Sequence, residues 1–355
     1  MRINIKRELT IFLGVQILLL SLLKRYPEFV EYYYSNGIYV YISRFMRFAF
    51  GWIPFSMGDI LYTLATIYAL RWLIINRKRI INDTINWFLD IGAALSVAYL
   101  AFHILWAFNY YRQPLHKSLH IKADYTTEAL ISFTKQLINR SNAIHNKIVD
   151  DDTLKVTIPY SKTDIFNKIE DGFNRLSQKY PHLKYYPKSI KKSVYSTPLI
   201  YMGFSGYLNP FTNEGQVASL LPTYKYPTTS CHEAAHQLGY AAENEANFIG
   251  SLAAIHNDDI YFKYAGYTFA LRYCLAEIYN QDQEAYYTIL DTVNPGIIKN
   301  YQEVQNFWLG YKNPFEPYFE KTFDSFLKAN NQSAGMKTYS YVVALFVNYY
   351  DVHKL

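Results

Sequence analysis

Apolar residues divide this chain into two unlike parts. Up to about residue 112 they gather in long runs, and beyond it they recur at the three- and four-residue spacing of half-buried helices. Leu9–Leu23 (LTIFLGVQILLLSLL) is uncharged and flanked by Arg7, Glu8, Lys24 and Arg25. Phe55–Ile75 carries only Asp59 near its start and Arg71 near its end, and Trp87–Tyr110 carries only Asp90 and His103. A helix that crosses a bilayer needs about 20 mostly apolar residues. The second and third runs satisfy this, and the first does so if Glu8 and Lys24 reach for the headgroups. KRYPEF after the first run offers no small-residue cleavage site, so a removable signal is disfavoured. The pattern predicts three crossings within residues 1–112 and a lipid bilayer as partner.

Between the first two runs, YVYISRFMRFAFGWIPF sets Arg44 and Arg47 on one helical face among aromatics, the pattern of a helix lying in the interface plane. Arg2, Lys6 and Arg7 precede the first run, and Arg71, Arg77, Lys78 and Arg79 close the second. The positive-inside bias places both ends in the cytoplasm. Lys24, Arg25, Arg44 and Arg47 on the opposing side reduce that contrast. The expected arrangement has the N-terminus inside and everything after Arg112 outside.

The remainder, residues 113–355, reads as a mainly α domain. Helices are predicted over Thr126–Lys147, Ser161–Lys179, Ile260–Tyr279, Glu284–Thr292, Tyr301–Leu309, Tyr318–Ala329 and Lys337–Tyr350. Ile260–Tyr279 is apolar, but Lys263, Arg272 and Glu277 make it a buried or amphipathic helix instead of a span. Ser196–Pro222 is rich in Gly, aromatics and β-branched residues around the turn NPFTNEG. It predicts two short strands joined by a loop, a small sheet.

Composition alters this picture little. A net charge of +6 over 355 residues is mild. The basic run Lys188–Val194 (KSIKKSV) reads as a solvated face, and nothing points to nucleic acid. Cys231 and Cys274 allow one disulfide, but packing as small hydrophobes is the favoured reading. His103 in the third run marks either a polar pathway or a packing role. His116, His120, His145 and His182 read as surface residues. A transport role would want ionisable residues facing one another across the spans, and only Asp59, Asp90 and His103 are available.

The chemistry concentrates in TTSCHEAAHQLGYAAENEANF, Thr228–Phe248. His232 and His236 lie four apart, so on a helix both imidazoles leave the same face and can reach one metal ion. Glu233 lies about 100° further round, placed to hold and deprotonate a water instead of binding metal. HEAAH thus offers two Zn2+ ligands and a general base. A catalytic zinc takes a third protein ligand. Gly239 can end the helix in a left-handed turn, after which Glu243 opens the next helix as the favoured third ligand. Glu245 is the alternative, on another side of that helix. Asn247, one turn from Glu243, can hydrogen-bond a metal-bound histidine. The segment Gly215–Leu221 can pair with an extended peptide as an edge strand. Tyr201, Tyr207, Tyr224, Tyr226 and His256 are candidates for steadying an oxyanion.

HEAAH followed by ENEANF resembles the gluzincin metallopeptidases, whose second helix carries Glu-x-x-x-Asp or Glu-x-x-x-Asn. The ending ExEANxxG is similar to the ImmA/IrrE-type peptidases. The wider layout resembles a bacterial family of membrane proteins of unknown function, in which SRFMRFAFGWIPFSMGD and GYLNPFTNEGQV have counterparts. The resemblance implies N-terminal membrane helices followed by an α+β zincin-like domain with a small sheet and an HExxH helix. It implies Zn2+ held by His232, His236 and Glu243, with Glu233 as base and a peptide or protein as substrate. The protein would be multi-pass in the bacterial inner membrane, its catalytic domain outside the cytoplasm. A non-catalytic relative that binds a partner or senses metal is the alternative; loss of the base would mark it, and Glu233 is present. The interval from His236 to Glu243 is shorter than in better-known gluzincins, which requires a tight turn at Gly239.

Overall fold

The computed structural model describes residues 4–336 and 341–355 of the chain. Helix α1 (Ile5–Leu23) starts at Asn4, whose side chain accepts from the Arg7 N–H. A helical segment, Pro27–Gly51, follows at 101° to it. Its middle, Val30–Ile38, is π-helical, and its second half is α2 (Tyr39–Gly51). α3 (Met57–Asn76) is capped by the Ser56 hydroxyl, and α4 (Thr84–Leu105) is its neighbour in the chain. α3 and α4 are long and apolar enough to cross a membrane; α1 with the bent Pro27–Gly51 counts as a third if the pair is one span. Only 11% and 17% of the apolar stretches of α3 and α4 are buried within the protein. Leucines such as Leu64 and Leu95 therefore require an apolar surrounding from outside, which a bilayer provides.

α1 and α4 run side by side in the same direction. Gln16 Nε2 donates to Ser96 Oγ at 2.8 Å and to the Ser96 carbonyl at 3.2 Å, and Thr10 Oγ1 donates to the Leu89 carbonyl. Such polar pairs hold helices together where apolar contact alone gives no preference over lipid. α3 runs the opposite way. Its far end meets the start of α4, where the Trp72 and Trp87 rings lie 5.9 Å apart. There Arg79 bridges Asp83 and Asp90 at 3.0 and 2.8 Å, and Lys6 also pairs with Asp90.

The third predicted run reached Tyr110, but α4 ends at Leu105. Trp106 breaks the helix with φ −158°, and Ala107–Tyr111 continues as a buried 3-10 turn. Arg44 and Arg47 were expected on one face. Instead Arg44 is exposed while Arg47 is 3% exposed, donates to the Pro187 carbonyl at 3.0 Å and stacks on Tyr185. The aromatic surroundings that suggested an interface are in part a protein wall. His103 is buried, its Nδ1 on the Tyr99 carbonyl at 2.9 Å and its ring among Phe102, Phe108 and Tyr111, which is the packing role.

Beyond residue 112 the chain is mainly helical around one large core. α5 (Thr127–Ile148), α6 (Lys162–Lys179), α7 (Tyr226–Gln237), α8 (Glu243–His256) and α9 (Ile260–Gln281) turn their periodic apolar faces to it, as Leu130, Phe133 and Leu137 or Ile165, Ile169 and Phe173 show. α9 is a core helix, as predicted. Cys231 and Cys274 are free thiols buried in this core. His145 was expected at the surface but is fully buried, Nε2 on the Leu154 carbonyl at 2.9 Å, because α5 turns it against the 151–154 turn. α10 (Gln283–Leu290), α11 (Pro295–Gly310), α12 (Glu316–Ala329) and α13 (Val342–Val352) complete the chain. Of the helix predicted over Lys337–Tyr350, residues 337–340 lie outside the described residues, as does Arg2.

A three-stranded sheet lies beside α7. β1 (Ile190–Lys192) runs parallel to β3 (Glu214–Val217), and β2 (Gly206–Asn209) pairs with β3 antiparallel across the predicted turn, where Asn213 takes φ 52°. The order is β1-β3-β2. This overturns two expectations. β3 is paired on both sides and is not an edge. Lys188–Val194 is not a solvated face: it holds β1, and Lys191, 6% exposed, donates from Nζ to the Gly51 and Ile53 carbonyls at the end of α2. The run alternates, so Lys192 faces water while Lys191 closes a helix end.

The sheet also fixes α3. The buried Asp59 carboxylate accepts from the Ser193 hydroxyl (3.0 Å), the Val194 N–H (2.6 Å) and the Tyr207 hydroxyl. Glu214 accepts from the Gly58 and Met57 N–H groups at the positive end of the helix. Asp59→Ala strands these donors, so it should cost on the order of 3 kcal/mol and lower the unfolding midpoint of the detergent-solubilised chain. An unchanged midpoint would show that the carboxylate does not secure α3.

Candidate metal centre

α7 begins with Pro227 in its first turn and ends at Leu238. Gly239 follows in the left-handed region at φ 92°. Its N–H returns to the His236 carbonyl at 2.9 Å and the Tyr240 N–H to the Ala235 carbonyl at 3.2 Å, the paired bonds of a Schellman close. The chain doubles back as predicted, and α8 opens at Glu243 against α7. Gly250 permits that contact, since a Cβ there would lie 2.7 Å from the His232 nitrogen.

This reversal brings three side chains together. Glu243 Oε2 lies 3.3 Å from His232 Nε2 and 3.6 Å from His236 Nε2, and the donor atoms of all three residues fall within 4.8 Å of one another. Ligands bonded tetrahedrally to zinc at about 2.0–2.1 Å stand roughly 3.4 Å apart. His236 Nδ1 is engaged by the Tyr240 carbonyl at 2.7 Å, which leaves its Nε2 for the cluster. The nitrogen, nitrogen and carboxylate set matches the donor chemistry and spacing that a zinc ion takes. Two further polar atoms at the cluster, His232 Nδ1 and Glu233 Oε2, are buried without a hydrogen-bond partner.

The electrostatics favour a positive occupant. Burial disfavours ionisation of Glu243, but charge on His236 and hydrogen bonds from both imidazoles outweigh it and hold the carboxyl below its usual range. Burial likewise opposes a proton on His236, yet Glu243 raises it to about 9. Burial lowers His232. Glu233, also buried, is pushed up to about 8.

Glu233 sits in a slot cut by two glycines that the sequence reading passed over. A Cβ on Gly206 of β2 would lie 2.6 Å from Glu233 Oε1, and one on Gly215 of β3 would lie 2.9 Å from Glu233 Cβ. Glu245, the alternative ligand, points elsewhere: Oε1 accepts from the Leu115 N–H at 2.7 Å, and burial, opposed by the nearby Arg112, raises it to about 7. Asn247 lies beside His232 and donates to the Tyr273 hydroxyl at 3.4 Å.

The N-terminal third supplies the end of α7 with donors. Trp106 Nε1 donates to the His236 carbonyl (3.3 Å), and Tyr39 and Ser43 hydroxyls donate to the Gln237 carbonyl (3.1 and 2.6 Å). Arg112, paired with both Glu31 carboxylate oxygens, donates to the Gly239 carbonyl at 2.9 Å and stacks on Tyr240. These give the Gln237 and Gly239 carbonyls donors that a helix end otherwise leaves them without, and the His236 carbonyl a second one beside the Gly239 N–H.

A cavity of about 600 Å³ opens from the cluster. Of the oxyanion candidates only Tyr207 lines it, and its hydroxyl is taken by Asp59. Tyr224 and Tyr226 are buried on Thr268 and the Ala218 carbonyl, Tyr201 packs on Tyr311 at the surface, and His256 lies at the far end of α8. Tyr273 of α9 lines the cavity beside Asn247 and was not foreseen, because nothing local to the sequence singles it out among 36 tyrosines.

The chain belongs to the family described as "Protein of unknown function (DUF3810)", which matches residues 34–347. The single match takes in α3, α4 and the His–Glu cluster alike. No curated protein and no solved structure matches the chain.

Gly239→Ala places a side chain in the left-handed region, 2.9 Å from Asn109 Oδ1 and 3.0 Å from the Tyr39 ring. It should destabilise by about 1–2 kcal/mol or more, read as a lower unfolding midpoint. A midpoint equal to wild type would mean that the turn tolerates a side chain and does not force the reversal.

Proposed function

We propose that the protein is a multi-pass membrane zinc metallopeptidase of the gluzincin type. The observation that carries this reading is the meeting of His232, His236 and Glu243 beside Glu233 at an open cavity. Bound zinc would polarise a scissile carbonyl and lower the pKa of an attacking water. Glu233, in its glycine-walled slot, takes the proton from that water and delivers it to the leaving amine. The open side of β2, next to Glu233, pairs with an extended substrate backbone. The Tyr273 hydroxyl steadies the negative charge that develops on the carbonyl oxygen.

The distribution of basic residues supports an orientation. Lys6, Arg7, Arg77, Lys78 and Arg79 sit at the ends of α1 and α3 remote from the domain, where Arg79 and Lys6 meet Asp90. The positive-inside bias places that end in the cytoplasm and the peptidase domain outside a bacterial inner membrane.

Metal analysis of the purified chain should find one zinc per molecule, lost in His232→Ala and Glu243→Ala and retained in Glu245→Gln. Absence of stoichiometric zinc in wild type would end the proposal. Glu233→Gln should keep zinc while lowering peptide hydrolysis by about 10²–10⁴-fold. Zinc without any hydrolysis that depends on Glu233 would favour a metal-sensing or partner-binding protein instead. Tyr273→Phe should cut kcat by about 10²-fold with KM little changed; an unaffected kcat removes the tyrosine from the mechanism.

A further inference from the structure

The cavity at the His–Glu cluster is walled in part by the two apolar helices. Tyr62, near the start of α3, and Phe102, near the end of α4, both line it. The helices meet at their far ends, through Trp72, Trp87 and Arg79, and flank the cavity at their near ends. Tyr62 is turned outward to Tyr207 and Phe211, ring centroids 6.3 and 6.2 Å away. Phe102 lies 6.5 Å from Phe326 of α12. Around them the lining is rich in aromatic side chains, Phe204, Phe211 and Phe323 among them, with Met202, Leu208 and Met336 beside these.

α12 lies across the same opening. Phe323 packs edge-on against Phe204 at 4.9 Å, and Phe326 against Tyr110 at 6.2 Å. The sequence FEPYFEKTFDSFLKA repeats aromatics at three- and four-residue spacing, with Glu316, Glu320, Lys321 and Asp324 between them and Lys328 after the last. Phe315, which precedes this helix, and Tyr318 in its first turn are 65% and 71% exposed, a face suited to the headgroup boundary at the domain end of the apolar helices.

Resting on the peptidase reading, we propose that the substrate is a polypeptide anchored by its own transmembrane helix, which enters laterally between α3 and α4 and is cut close to that helix's end. A chain in lipid keeps its backbone hydrogen-bonded as helix. It can unwind only where protein offers partners, and the free side of β2 is at the cavity. The metal cluster lies level with the end of the spans, since Trp106, the residue after α4, donates to the His236 carbonyl. The reachable bond is therefore the segment flanking a membrane helix, neither mid-bilayer nor in a distant soluble domain. The aromatic mouth accepts apolar side chains on the way in.

The test uses the full chain with zinc bound, in phosphatidylcholine nanodiscs. Two peptide pools share one randomised segment. In one pool it adjoins a leucine–alanine helix of about 20 residues inserted in the same discs, and in the other it is water-soluble. Cleavage read by mass spectrometry should favour the anchored pool by about tenfold or more, through its higher effective concentration, and Phe102→Glu should bring the ratio towards one. A bimane on Phe102→Cys should be quenched by nitroxide-bearing lipids, a readout that needs no turnover. Equal cleavage of both pools, an anchored preference undiminished in Phe102→Glu, or no lipid quenching overturns this substrate class while the peptidase stands. Failure of both pools to show Glu233-dependent cleavage rejects the peptidase reading, and this inference with it.

Discussion

The end of α7 is the constraint on which the rest depends. Five residues separate Gln237 from Glu243, and in that span the chain must finish one helix, reverse and start another. Carbonyls at a helix terminus must find donors. Here they find them in Trp106, Tyr39, Ser43 and Arg112, all from the first 112 residues. Gly239 supplies the one backbone conformation that a side chain would strain. Glu243, the first residue after this reversal, then faces the two imidazoles.

The apolar N-terminal third is accordingly part of the frame of the His–Glu cluster. α3 is fixed to the sheet through Asp59 and Glu214, and Arg47 reaches across to the Pro187 carbonyl. The same sheet shapes the slot of Glu233 through Gly206 and Gly215. A change in how α3 or α4 sits would be felt at the His–Glu cluster through a chain of buried hydrogen bonds. That continuity agrees with one family match running through both parts. Tyr62 and Phe102 belong to the two long apolar helices and to the cavity at once.

Local pattern and tertiary context disagreed in instructive places. Lys188–Val194 looked solvated because lysine is normally exposed, but alternation in a strand sends Lys191 inward to bare carbonyls. β3 looked like an edge because its own sequence cannot show that a distant segment, β1, pairs along its second side. Arg44 and Arg47 shared a helical face on a wheel, yet only Arg47 met a protein surface that could accept it. The tyrosine beside the cluster came from α9, and no spacing within that helix distinguishes Tyr273 from its many neighbours of the same type.

From sequence alone came the apolar helices, the mainly α remainder, the hairpin turn, His232 and His236 on one face, the glycine that ends α7 and the acidic opening of α8. These are set by periodicity, side-chain length and backbone sterics, which act over a few residues and so are written locally. Tertiary structure decided which glutamate faces the imidazoles, which strand is free, and where the cavity opens. Each of these depends on what a remote segment leaves unsatisfied: Glu245 turns to the Leu115 N–H, while Glu243 meets the two imidazoles. Long-range hydrogen bonds and packing fix such choices, and a one-dimensional pattern carries no record of them.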